Sequence, residues 1–115
     1  MTTPPLPPLS KFRRAGNLIF TAGQLPRGAA GAIVAGDIEV QTRQAIANLQ
    51  AVLRDAGAEL TDVVKVTAWL TDAAHMAGFN AVYREFFDTP YPARSTVISG
   101  LVAGDVEIEA IACIA

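Results

Sequence analysis

The stretch that decides the fold is residues 62–70, DVVKVTAWL. It is rich in β-branched residues, and Val64, Val66 and Ala68 alternate with the residues between them, which is typical of a strand. Segments with helical spacing of apolar residues lie on both sides of it. A strand between two helices predicts two β-α-β crossings, and therefore parallel strand pairing somewhere in the sheet.

The first flanking segment, residues 37–56, is predicted to be a helix. Asp37 can cap its N-terminus, and Gly57 occupies the position of a left-handed C-terminal cap. Its polar face, which includes Gln41, is expected to meet water. The second helix is predicted from Thr71 or Asp72 to about Phe87, with this buried stripe: Met76, Phe79, Tyr83, Phe86 and Phe87.

Short strands are predicted outside the helices. They cover residues 11–14 and 17–22, joined by a turn at Gly16, and residues 95–99 and 106–115, with one further short strand at 32–34 inside a loop. This order predicts an α+β fold with a mixed sheet, hairpin strands at both ends and both helices packed on one face. The uncovered face is the expected surface for subunit contact.

The length and composition limit the number of domains, the oligomeric state and the cellular location that we expect. A chain of 115 residues suits one domain, here residues 11–115 after a proline-rich lead-in at 1–10. Hydrophobic residues make up 51% and charged residues 17%, so one small domain is expected to hide its apolar surface in an oligomer. The single cysteine favours a reducing compartment, and no signal peptide or apolar span is recognisable, so the expected location is the cytosol.

Charge argues against nucleic acid as a partner. The net charge is −2, and the nine basic residues are scattered, with Arg13-Arg14 as the one adjacent pair. Nucleic-acid binding without base contacts depends on clustered Lys and Arg that neutralise phosphates. We therefore expect neither nucleic-acid binding nor, by the same reasoning, ribonuclease activity.

Arg94 is the first candidate site residue. It follows Pro92 and opens a β-branched strand, so its position is well defined, and a guanidinium matches a carboxylate with two parallel hydrogen bonds. A buried guanidinium needs an anion nearby. That anion is either a ligand carboxylate or, in a purely structural role, Glu107 or Glu109.

Glu107 and Glu109 form the second candidate. They lie two apart in the last strand and therefore share a face of the sheet. A carboxylate in a partly dry pocket can hold and deprotonate a water molecule, whereas one on a solvated edge has no such role. Both interpretations remain open at this point.

Other reactive side chains indicate no further site. His75 has no metal-ligand spacing around it and is expected to face solvent. Cys113 has no activating histidine nearby and is expected to be a small buried hydrophobe. The glycines at 16, 23, 28, 31 and 36 form no phosphate-binding motif.

Several segments in order resemble the YjgF/Rid family, also known as the L-PSP endoribonuclease family. The resemblance covers nearly all of the chain after residue 12, and its segments are 16–26 (GNLIFTAGQLP), 44–49 (QAIANL), 62–67 (DVVKVT), 79–87 (FNAVYREFF), 92–95 (PARS) and 107–112 (EIEAIA). It implies a fold similar to that of chorismate mutase and a homotrimer with clefts between subunits. It also implies enamine/imine deaminase activity, in which 2-imino acids are hydrolysed to 2-keto acids and ammonia without a cofactor.

The resemblance assigns roles to four residues. Arg94 matches the arginine that grips the substrate carboxylate, and Glu107 matches the glutamate that positions the attacking water. The backbone around Thr96, and Gly23 across the cleft, match positions that help to shape the pocket.

The chain departs from the best-studied deaminase subgroup, which has a tyrosine near the N-terminus and a serine before the Gly-Gln pair. Leu9, or a neighbour of it, and Ala22 stand there instead. The loss of two hydroxyls leaves a second hypothesis open, a non-catalytic trimer that binds 2-keto acids or related carboxylates.

Overall fold

The computed structural model describes residues 5–115 and contains five strands and two α-helices in that part of the chain. In chain order they are β1 Phe12–Ala15, β2 Leu18–Thr21, α1 Ile38–Asp55, β3 Val63–Leu70, α2 Met76–Phe86, β4 Ala93–Ile98 and β5 Val106–Cys113. Residues 5–10 belong to no helix or strand, while the first four residues of the predicted lead-in lie outside the described residues.

The strands form one mixed sheet in the order β1-β2-β5-β3-β4. The β3–β4 pair is parallel and the other neighbours are antiparallel, which confirms the mixed sheet. The prediction of a hairpin at the C-terminal end is wrong, because β3 lies between β4 and β5. Leu70 pairs with Ile98 on one side and with Val106 on the other, so residues 99–105 cross over the end of β3. Every second side chain of β5 is buried, which suits a strand in the middle of the sheet with β2 on one side and β3 on the other.

Both helices contribute to one core against the same face of the sheet, as predicted. The core side chains are Ala45, Ile46, Leu49 and Leu53 of α1, Phe79, Val82 and Tyr83 of α2, Val66, Ala68 and Leu70 of β3, and Val106, Ile108, Ala110 and Ala112 of β5. Between residues 5 and 115 there is no helix that is both long and apolar enough to cross a membrane.

We call the other side of the sheet the open face. It carries, from β2 to β4, Leu18, Phe20, Cys113, Ile111, Glu109, Glu107, Lys65, Thr67, Trp69, Ser95 and Val97. The predicted burial of Cys113 is wrong, because residue 113 has the same alternation as Glu107 and is exposed. Val64 is also outside the core and 49% exposed, because a register shift between Val63 and Lys65 breaks the alternation there.

The predicted ends of α1 are confirmed. Asp37 Oδ1 accepts a hydrogen bond from Val40 N at 3.0 Å, and Gly57 has φ +83°, as a left-handed cap requires. The short strand expected at 32–34 is reduced to a single bridge between Arg27 and Ile33.

The interpretation of Gln41 as a water-facing residue is wrong, because its side chain is 6% exposed. Its Nε2 donates to Gly36 O and to Asp105 Oδ2, each at 3.1 Å, and its Oε1 accepts from Asp105 N at 2.8 Å. A hydrogen bond from Thr71, and to a smaller extent one from Gln41, holds the pKa of the Asp105 carboxyl below its usual value. This network ties α1 to the loop that leads into β5.

Gln41→Ala is therefore expected to lower the free energy of unfolding by about 1–3 kcal/mol, because it removes the three hydrogen bonds that the buried Gln41 side chain forms with Gly36 and Asp105. Chemical denaturation measures this effect. Gln50→Ala is the control on the same helix, and it is expected to change the free energy by less than about 0.5 kcal/mol. Equal effects of the two substitutions would contradict the role assigned to the network.

Candidate functional site

Arg94 lies at the start of β4, an edge strand, on the face that the helices cover. It pairs with Val66, which is fully buried in the core, so alternation directs the Arg94 side chain towards α2. Its Nη2 donates to Asn80 Oδ1 of α2 at 2.8 Å. The helix after β3 thus fixes the orientation of a guanidinium on β4.

Two aromatic rings support the Arg94 guanidinium. Its Cζ lies 4.7 Å from the ring centroid of Tyr83 and 5.2 Å from that of Phe79. Cation–π contacts of this kind are worth about 0.5–2 kcal/mol and hold the planar group in one orientation. Burial raises the pKa of the Tyr83 phenol, an effect that the positive charge of Arg94 partly offsets. The predicted core residues of α2 thus also form the floor of a site.

Arg94 has no carboxylate partner in the described part of the chain. The ion pairs there join Arg43 to Glu85 and Arg54 to Glu59. The purely structural pairing of Arg94 with Glu107 or Glu109 is therefore not formed within this chain. Beside the guanidinium is a cavity of about 330 Å³, which we call the Arg94 pocket, lined by Tyr83, Arg84, Tyr91, Pro92 and Arg94.

Glu107 lies on the open face, opposite the helices. It pairs with Trp69 and shares its face with Glu109, as the sequence predicted. Burial raises the pKa of the Glu107 carboxyl, and the negative charge of Glu109 raises it further. A carboxyl with this shift holds its proton more strongly than an ordinary glutamate and is a better base once ionised.

Gly23 packs directly against Glu107. A Cβ at position 23 would overlap Glu107 Oε2, so only glycine leaves room for the carboxylate in this position. The segment is fixed by Gln24, whose N donates to Ile108 O at 2.7 Å and whose O accepts from Ile108 N at 3.1 Å. Gly23 and Glu107 therefore form one unit.

A β-bulge and a side chain of α1 create this arrangement. Phe20 pairs with Ile111 and Gln24 with Ile108, so β2 and its extension have one residue more than β5 over this interval. Thr21 Oγ1 fills the gap by accepting from Ala110 N at 3.0 Å.

From α1, Asn48 Nδ2 donates to Leu25 O at 3.0 Å and to Arg27 O at 2.9 Å, which holds the chain after Gly23 in place.

The predicted site residues thus fall into two groups. Thr96 pairs with Ala68 and shares the helix-covered face with Arg94, while Glu107 and Gly23 lie together on the other side of the sheet. One chain does not bring Arg94 and Glu107 to the same small ligand. If they act on one substrate, they must come from two copies of the chain.

Comparisons with known proteins agree on one family. The family model described as Endoribonuclease L-PSP matches residues 2–114. A RutC family protein of Pyrococcus abyssi is 47% identical over 111 residues, which cover 94% of this chain and 87% of that protein. This chain belongs to the YjgF/Rid family of L-PSP endoribonuclease-like proteins.

Two further YjgF/Rid relatives bear on the site. The 2-iminobutanoate/2-iminopropanoate deaminase of Dermatophagoides farinae is 36% identical over 94 residues, covering 81% of this chain and 73% of that protein. The crystal structure of Escherichia coli TdcF with bound serine superposes with a TM-score of 0.88 at 34% identity, over 96% of this chain and 91% of that one. The α+β fold is therefore that of the family.

Two residues stand where the YjgF/Rid deaminase subgroup has hydroxyl-bearing side chains, and both line the same cavity as Gly23. Leu9 and Ala22 line, together with Gly23, a second cavity of about 360 Å³. At positions 9 and 22 this cavity is therefore apolar.

Asn80 is a site residue that the sequence pattern did not predict. It lies within a segment that resembles the YjgF/Rid family, but its partner could not be recognised from spacing. The available signal was its place one residue after Phe79 on the helix of a β-α-β unit whose second strand begins with Arg94. As for metals, no group of three or more His, Cys, Asp or Glu side chains converges within residues 5–115.

Proposed function

We propose that this YjgF/Rid protein hydrolyses 2-imino or enamine carboxylates to 2-keto acids and ammonia. The observation that carries the proposal is the Arg94 guanidinium, oriented by Asn80 and two rings beside a cavity, without a carboxylate partner in residues 5–115. A fixed guanidinium with donors left over binds a small carboxylate through parallel charge-assisted hydrogen bonds. The related deaminase of Dermatophagoides farinae supports the same reaction class.

The proposed reaction requires few catalytic groups. The imine carbon of a 2-imino acid is electrophilic, so water adds to it, forms a C–O bond and gives a carbinolamine. Glu107 accepts one proton of that water and passes it to the imine nitrogen. It then accepts the proton of the carbinolamine hydroxyl and passes it to the amine, so that the C=O bond forms, the C–N bond breaks and ammonia leaves. The chain's role is to hold the carboxylate at Arg94 and the water at Glu107, which are positioning and acid–base effects.

In this proposal the two groups come from neighbouring copies in a homotrimer. Arg94 and Glu107 lie on opposite faces of the sheet within one chain. Apolar side chains on the open face are accessible, with Leu18 37%, Phe20 40% and Val97 40% exposed. Burial of such a surface favours association, and β4 adds an unpaired strand edge. In the proposed trimer the edge strand β4 of a second copy lies beside the open face, with its Arg94 near Glu107.

Kinetics with purified protein test the proposal. 2-Iminobutanoate is generated in the cuvette by an amino-acid oxidase, with catalase present, and 2-oxobutanoate formation is followed. We expect a rate above that of buffer that is proportional to protein concentration. A rate equal to that of buffer with 2-iminobutanoate, 2-iminopropanoate and larger apolar imino acids would contradict the proposed activity.

The pH dependence of kcat tests the role of Glu107. Burial, and to a smaller extent the negative charge of Glu109, raises the pKa of Glu107 in the folded protein. As the pH decreases, the activity should therefore begin to fall at pH values above the usual pKa range of glutamate. Glu109→Gln removes the smaller of these causes, so it should move the acidic limb of the profile to lower pH. Glu39→Gln, on α1, is the control and should leave the limb in place. An acidic limb that does not move in Glu109→Gln would contradict the assignment.

A second candidate function is favoured by the absence of a hydroxyl at positions 9 and 22. Leu9 and Ala22 supply no hydroxyl to the cavity there, and hydroxyls are groups that can orient an attacking water. A non-catalytic trimer that binds 2-keto acids would show saturable binding of 2-oxobutanoate, lost in Arg94→Ala, with no turnover. Calorimetry beside the kinetic assay separates the two functions.

A further inference from the structure

The Arg94 pocket contains a second guanidinium that neither the family resemblance nor the proposed reaction uses. Arg84 lies in the last turn of α2, one residue after Tyr83, and lines the same cavity of about 330 Å³. Its side chain is exposed and, within residues 5–115, it forms neither an ion pair nor a side-chain hydrogen bond. Two arginines therefore face one small cavity.

The lining of the pocket is cationic and contains no carboxylate. Besides Arg84 and Arg94 it consists of Tyr83, Tyr91 and Pro92. The next residue on α2, Glu85, is engaged by Arg43 Nη2 at 2.6 Å and does not line the cavity. Two positive charges near one cavity make its electrostatic potential more positive. A ligand with two negative groups therefore gains more electrostatic free energy on binding there than a ligand with one.

The phenol of Tyr91 adds a polar group at the same place. Tyr91 is 49% exposed, lies in the segment that connects α2 to β4, and also lines the pocket. A tyrosine hydroxyl can donate a hydrogen bond to a carboxylate that a guanidinium also binds. Ligand cavities for small molecules begin at about 300 Å³, so this one has room for a substrate with two carboxylates.

We infer that Arg84 determines specificity, and that the preferred substrate is a 2-imino acid with a second carboxylate. The carboxylate next to the imine binds Arg94, and the distal carboxylate binds Arg84 with the help of Tyr91. This inference rests on the proposed function for the reaction, but its binding part stands independently. The other role open to Arg84, favourable interaction with the C-terminus of α2, involves no ligand and predicts no change in ligand choice.

The test compares two keto acids with the same number of carbons, 2-oxopentanoate with one carboxylate and 2-oxoglutarate with two. Calorimetry measures the affinity of each for the wild type and for Arg84→Gln. We expect the wild type to bind 2-oxoglutarate about tenfold more tightly, and Arg84→Gln to lose this preference, because a charge-assisted hydrogen bond is removed. Arg84→Lys keeps the charge and should retain most of the preference.

Arg54→Gln, which removes one positive charge from the last turn of α1, is the matched control and should keep the preference. Melting temperatures confirm that each variant folds. If Arg84→Gln weakens both ligands equally or neither, the inference is wrong.

The same comparison by initial rates, with the imino acids made from norvaline and glutamate, separates this inference from the proposed function. No turnover of either imino acid, together with loss of the 2-oxoglutarate preference in Arg84→Gln, would reject the reaction and retain the binding role.

Discussion

Arg94→Ala is expected to lower kcat/KM for 2-iminobutanoate by a hundredfold to about a thousandfold. The substitution removes a charged partner of the substrate carboxylate, and such losses cost about 3–4 kcal/mol in the transition state. It also leaves Asn80 Oδ1 without its donor, but Asn80 is only partly buried, so the fold should persist. Initial rates with oxidase-generated 2-iminobutanoate measure the loss.

Two variants make this result specific. Arg94→Lys keeps a positive charge but cannot form two parallel hydrogen bonds or stack on Tyr83 in the same way, so we expect an intermediate loss. Arg43→Ala removes a surface arginine that pairs with Glu85 and should keep nearly full activity. Retention of more than about a third of the activity by Arg94→Ala would show that the carboxylate binds elsewhere.

Mixing two inactive variants is expected to restore activity. Arg94→Ala and Glu107→Gln each abolish one half of the proposed site, and the two halves lie on opposite faces of the sheet in one chain. If each site takes Arg94 from one copy and Glu107 from another, random reassembly makes about a quarter of the sites intact, as subunit exchange in a closed ring requires. The mixture should therefore recover about a quarter of the wild-type rate after the subunits are unfolded and refolded together.

The control for this mixing experiment is each inactive variant refolded alone, which should stay inactive. Refolded wild type sets the full rate. A mixture as inactive as its components, although native mass spectrometry shows mixed oligomers, would mean that both residues act within one chain, which contradicts the site proposed above.

Much of the fold follows from the sequence because patterns over adjacent residues carry it. The spacing of α1, with Asp37 and Gly57 at its ends, and the alternation that places Glu107 and Glu109 on one face depend only on local geometry. The strand order does not. That β5 inserts between β2 and β3 depends on contacts between segments distant in the chain, which no local pattern specifies.

The two errors in expected burial have different causes. Cysteine is a residue type that is usually buried, but the alternation of side chains along β5 places Cys113 on the open face. Gln41 resembles a surface residue of α1, but the loop before β5 folds back and buries it against Asp105. A distant segment thus decides the environment of Gln41, whereas the alternation of β5 itself decides that of Cys113.

The sequence singles out candidate site residues but not how they are arranged. Arg94 could be singled out from the sequence, whereas its support by Asn80, Phe79 and Tyr83 requires α2 to pack beside β4. Arg84 attracted no attention as one of several surface arginines. Its importance follows from sharing a cavity with Arg94.

The most direct measurement is a crystal structure of the protein soaked with 2-oxobutanoate. We expect the ligand carboxylate to lie within hydrogen-bonding distance of the Arg94 guanidinium, with Glu107 of a second copy close to the keto carbon. A ligand bound away from Arg94, or an Arg94 side chain occupied by a protein carboxylate in the assembled oligomer, would contradict the account.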